Sequence, residues 1–134
     1  MPDRTRSWQP ASMPTDIPKP VGAYSAGVRA GDFIFVSGQV PRDPRTGTLA
    51  GADFASQTRQ VFANIREVLQ AAGATLDDVV SVIVYLTDVD NWGEFNDLYK
   101  QAFREPYPSR TAVGANLRGI LVEVSAVAYR PPAR

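Results

Sequence analysis

Between Asp78 and Thr87 the chain runs Val79-Val80-Ser81-Val82-Ile83-Val84-Tyr85-Leu86. The run is short, rich in β-branched residues and closed by polar residues at both ends. It is too short for a membrane helix and reads as a central strand buried on both faces. A central strand needs neighbours on both edges and cover on its faces, so the rest of the chain must supply more strands and some helices.

Both can be read from the flanks. Phe54, Thr58, Val61, Ile65, Val68 and Ala72 recur at spacings of four and three, one face of a helix. Asp53 stands ready to cap its start and Gly73 to end it. Thr75 with Asp78 resembles a one-turn capping box. Asp90 or Asn91 opens a second helix, with Trp92, Phe95, Tyr99 and Ala102 expected on its inner face, and it stops before Pro106. Ahead of these, Gly22–Val28 and Phe33–Ser37 read as a hairpin turning at Ala30-Gly31-Asp32. Pro41 to Gly51 carries turn residues throughout. Two last strands are expected near 110–115 and 119–130. The order β-β-α-β-α-β-β predicts an α+β fold, one mixed sheet with two helices on one face. The uncovered face then predicts self-association. Residues 1–19 hold Pro2, Pro10, Pro14 and Pro18 without periodicity and read as a flexible arm, leaving 20–134 as a single domain.

Composition limits the chemistry. Among 134 residues there is no Cys and no His, and the formal net charge is zero. Thiol nucleophiles, disulfides, the usual neutral-pH base and the usual zinc ligands are all excluded. No metal site is expected. No positive field exists for nucleic acid, so no nucleic-acid partner is expected. No apolar run spans a membrane and no signal-peptide core precedes the domain, so the protein is read as cytoplasmic with no membrane partner. Carboxylates, guanidinium groups, hydroxyls, amides and water remain.

The informative pair is Arg110, after Pro106-Tyr107-Pro108-Ser109, and Glu123, inside Ile120–Val124. In the last strand Ile120, Val122, Val124, Ala126 and Ala128 share one face, with Glu123 on the other. If Asn116-Leu117 turn a hairpin, Arg110 lies opposite Glu123; a turn at Leu117-Arg118-Gly119 would shift that register. From spacing alone this is either a cross-strand salt bridge contributing ~0.2–1 kcal/mol or a clamp in which Arg110 binds a carboxylate and Glu123 polarises a water.

Several short motifs stand in order along the chain: Gly22-Ala23-Tyr24, Val36-Ser37-Gly38-Gln39-Val40-Pro41, Asp43-Pro44-x-Thr46-Gly47, Phe95-Asn96-x-x-Tyr99, Pro108-Ser109-Arg110-Thr111 and Val122-Glu123-Val124-x-Ala126. From about Lys19 to Arg130 the chain resembles the reactive intermediate deaminase family (RidA or YjgF, also labelled endoribonuclease L-PSP). The resemblance implies a chorismate-mutase-like subunit, a homotrimer with sites between subunits, and no cofactor. It implies hydrolysis of 2-imino acids and their enamine tautomers, such as 2-aminoacrylate, to 2-oxo acids and ammonia. Arg110 would hold the substrate carboxylate and Glu123 the water; Tyr24, Ser37, Gly38 and Asn96 would line the pocket. Ala112 stands where many members have Cys, and the turn before Glu123 is shorter than usual. The resemblance also leaves room for a carboxylate-binding or chaperone-like member and for a catabolic deaminase acting on 2-aminomuconate. The ribonuclease label fits the composition least.

Overall fold

A computed structural model describes residues 5–133; residues 1–4 of the expected arm, and residue 134, fall outside it. Six strands alternate with two helices: β1 (Gln9–Pro10), β2 (Gly27–Ala30), β3 (Phe33–Gln39), α1 (Phe54–Ala71), β4 (Val79–Leu86), α2 (Trp92–Ala102), β5 (Ser109–Gly114) and β6 (Val122–Tyr129). One mixed sheet results, in the order β1-β2-β3-β6-β4-β5. Within the expected arm, Gln9 and Pro10 pair with Arg29 and Val28 and form the sheet's first edge. Pro10 has no N–H to give, so an edge is where it fits.

Both helices lie on one face. The expected stripe of α1 is buried from Phe54 to Val68, with Phe62 and Leu69 beside it, while Ala72 falls just past the helix as its half-buried C-cap. The Asp53 carboxylate accepts from the Ser56 N–H at 2.9 Å, which supplies the missing partner at the helix start. Gly73 ends the helix at φ +84°, a conformation that favours glycine. Asp78 accepts from the Thr75 N–H at 2.9 Å, as the capping pattern predicts. Phe62 packs edge-on against Phe95, Tyr99 and Phe103, joining the helices through one aromatic cluster.

The first strand of the hairpin, expected over Gly22–Val28, starts only at Gly27 and runs to Ala30. Three further expectations need correction. The first is the hairpin between the last two strands. β5 pairs only with β4, in parallel, and β6 lies on the other side of β4. The apolar β4 takes a partner on each edge, and residues 115–121 pass over its end. That crossing is tied down by Ala115 N–H to Leu86 O (2.9 Å) and Thr87 N–H to Leu121 O (3.2 Å). Arg110 therefore lies beside Val82, not Glu123.

The second correction concerns β4 itself. Val82, Val84 and Leu86 are buried under the helices, but Ile83 is 39% exposed on the outer face. A continuous apolar run here marks a strand whose outer face the single chain leaves bare. Phe33, Phe35, Val113 and Tyr129 are also exposed on that face. The third correction is Trp92, expected inward but 50% exposed, because it is the first residue of α2 and stands at the rim of the sheet.

Replacing Asp53 with Ala should cost about 1 kcal/mol of stability, the usual value of a lost N-cap. Urea denaturation measures this; a midpoint unchanged from wild type would show that the cap contributes nothing.

Candidate active site

Arg110 is the second residue of β5 and shares a face with its neighbour Val82, the face under the helices. Its side chain runs up to α2. Nη2 donates to Asn96 Oδ1 at 3.0 Å. The guanidinium carbon sits 4.7 Å from the Tyr99 ring centre, 5.6 Å from Trp92 and 5.9 Å from Phe95. Residues 92, 96 and 99 recur at helical spacing, so one face of α2 presents indole, amide and phenol to the same cation. Among the described residues no carboxylate lies within salt-bridge distance of Arg110, and its bond to Asn96 is the one hydrogen bond its fork makes. The cation is thus fixed in place with most of its donors unused, the condition for gripping an incoming carboxylate. The Tyr99 hydroxyl beneath it is buried and unpartnered among the described residues. Burial pushes its pKa up to about 12, against the opposing pull of Arg110.

Glu123 belongs to a different neighbourhood. It alternates with Val122 and Val124, which face the helices, so it points to the outer face. Its carboxylate lies against Gly38, where a β-carbon would overlap Oε2. Gly38 sits in the irregular stretch of β3 between Val36 and Gln39, where the register with β6 shifts. Glycine is needed here for the close approach of a side chain, not for an unusual backbone angle. Burial raises the Glu123 pKa above the usual carboxylate range, and no hydrogen bond to this carboxylate relieves it among the described residues. Ser37, next to Gly38, donates through Oγ to Ser25 O at 2.6 Å and through its N–H to Ala26 O at 3.0 Å. Its hydroxyl proton is used to hold the segment before β2, which carries Tyr24. The Tyr24 ring lies over Gly22 and is 59% exposed.

The expected site residues therefore form two groups. Arg110 and Asn96 meet on the helix side of the sheet's far edge. Ser37, Gly38 and Glu123 meet on the outer side, with Tyr24 joined to them through the Ser25–Ser37 bond. Glu123 pairs with Tyr85, and Tyr85 with Val113, three positions beyond Arg110. Two strand spacings and three residue rises separate Arg110 from Glu123, roughly 10 Å across and roughly 10 Å along, with the sheet between them. The direct cross-strand pair expected from sequence is not formed. Sequence reasoning also placed Trp92 and Tyr99 simply in the core; their spacing around Asn96 was the available signal that they frame the cation.

A mixed sheet carrying two helices on one face, with a buttressed cation at one edge and a desolvated carboxylate on the other face, defines a chorismate-mutase-like α+β subunit. Residues 14–130 match the family model described as endoribonuclease L-PSP. A RutC family protein of Pyrococcus horikoshii is 44% identical over 115 residues, covering 84% of this chain and 91% of its own. A 2-iminobutanoate/2-iminopropanoate deaminase of Bos taurus is 38% identical over 117 residues, covering 86% and 85%. The crystal structure of RidA from an Antarctic Psychrobacter superposes with a TM-score of 0.80 at 39% identity, covering 87% of this chain and 97% of that one. The chain belongs to the RidA/YjgF family.

Glu123→Gln should stabilise the protein at neutral pH. The raised pKa means the folded state holds the Glu123 proton more tightly than the unfolded chain does. Ionised Glu123 therefore costs stability above its folded pKa, and that cost vanishes as pH falls below the unfolded value. Thermal melting should show the variant's advantage at neutral pH and its loss in acid; an advantage of the same size at both would contradict this.

Proposed function

We propose that the protein hydrolyses 2-imino acids and their enamine tautomers to 2-oxo acids and ammonia, a reading supported by its similarity to a bovine protein named 2-iminobutanoate/2-iminopropanoate deaminase. The observation that carries this is the Arg110 guanidinium, braced by Asn96 and three rings and without a carboxylate partner among the described residues. Arg110 binds the substrate carboxylate. Glu123 takes a proton from water as the water adds to C2 of the C=N group. It returns that proton to nitrogen to complete the carbinolamine, then takes the carbinolamine hydroxyl proton and passes it to nitrogen as the C=O bond forms, the C–N bond breaks and ammonia leaves the 2-oxo acid. A carboxylate whose pKa is raised is better matched to moving a proton near neutral pH than an ordinary glutamate. The imine carbon is already electrophilic, so positioning of acid and water is the main demand. Asn96 orients Arg110; Gly38 gives the Glu123 carboxylate its place; Tyr24 and Ser37 border the same pocket.

Because Arg110 and Glu123 lie on opposite faces of one subunit, we place each site between subunits of a homotrimer. Arg110 comes from one copy and Glu123 with Gly38 from the next. The bare apolar outer face is the surface through which such copies would pack.

Freshly generated 2-iminopropionate should disappear faster with purified protein than in buffer. Arg110→Ala should lower kcat/KM by about 10²-fold or more, the loss of two charge-assisted hydrogen bonds, and Arg110→Lys by about tenfold, since the charge stays but the fork is gone. An Arg110→Ala enzyme with wild-type rates would sink the clamp; no acceleration by the wild type over several imino acids would sink the activity.

A further inference from the structure

Beside Glu123 the surface opens into a cavity of about 320 Å³. Val40, Leu117 and Ile120 supply apolar wall, while Arg42 and Arg118 supply two cations. Glu123 is the one acidic residue among those that line it. Among the described residues neither arginine has a carboxylate within salt-bridge distance, whereas Arg45, Arg104 and Arg130 are each paired. Arg42 makes a single side-chain hydrogen bond, to Gly47 O at 3.2 Å. The cavity therefore carries a surplus positive charge next to the carboxylate assigned to the water.

That surplus is not needed for the substrate's own carboxylate, which Arg110 takes under the deaminase reading on which this inference rests. With C1 held at Arg110 and C2 facing the Glu123 water, the substrate's side chain is what extends past Glu123. An alkyl side chain would leave the surplus positive charge without an acceptor, while a side-chain carboxylate would supply one. We propose that Arg42 and Arg118 receive a second acidic group of the substrate, and that the preferred substrates are 2-imino dicarboxylic acids. The apolar wall fits the methylene carbons between the two acids.

The test pairs binding with turnover. Titration calorimetry compares 2-oxoglutarate with 2-oxobutyrate as product-like ligands, and kcat/KM compares the imines made from glutamate and from 2-aminobutyrate by an amino acid oxidase. The wild type should favour the diacid by roughly tenfold or more in both measurements, the scale of one charge-assisted hydrogen bond. Arg118→Ala should lower that ratio severalfold, and Arg118→Glu should reverse it. Arg118 is an exposed turn residue, so both variants should fold. Equal handling of diacid and monoacid by the wild type would overturn the proposal. So would a diacid preference that survives in both Arg118 variants and in Arg42→Ala. If the binding preference behaves as expected but no imine is turned over, the deaminase reading fails while the diacid site stands.

Discussion

The pairing of β4 with β5 on one edge and with β6 on the other decides where every functional group falls. β4 is the most apolar strand, and it reaches full hydrogen bonding by taking a parallel neighbour delivered by α2 and an antiparallel neighbour delivered by the crossing at 115–121. Register does the rest. Arg110 beside Val82 must face the helices, and Glu123 between Val122 and Val124 must face away. A slip of one residue in β6 would turn Glu123 under the helices, and a slip in β5 would turn Arg110 out onto the bare face.

Each group is then prepared by its surroundings in a different way. The guanidinium lies in a half-buried place where aromatic faces and an amide oxygen replace part of its hydration. The carboxylate is left poorly solvated, and the missing β-carbon of Gly38 is what makes room for it. One group is a braced cation without a carboxylate partner among the described residues, and the other is a carboxylate whose burial favours its protonated form. Neither can serve the other within one chain, while the same outer face that carries Glu123 is apolar and bare. Under the proposed assembly, association of copies covers that face and brings the two groups together.

Much of this was legible in the sequence because it rests on local rules. The α1 stripe, the Asp53 cap, the Gly73 stop and the Phe33–Ser37 strand follow from periodicity and turn chemistry, and the structure has them. The alternation of β6 put Glu123 on the correct face. The partner of β5 was not legible: strand pairing across a helix is a long-range choice, and a hairpin through Asn116-Leu117 was as consistent with local sequence as the crossing that occurs. The one-sided exposure of β4 was hidden for a related reason, since an apolar run does not say whether its own chain covers both faces. Trp92 was misplaced because helical spacing identifies a face without saying where the sheet beneath it ends.

The central claim is that a working site takes Arg110 from one copy and Glu123 from another. Arg110→Ala and Glu123→Gln proteins, each inactive alone, are unfolded together, refolded as a mixture and assayed for 2-iminopropionate hydrolysis. Mixed oligomers contain some clefts with both native groups, so measurable activity should return, and none should return when either variant is refolded alone. A mixture that forms mixed oligomers yet stays as inactive as its components would contradict the account.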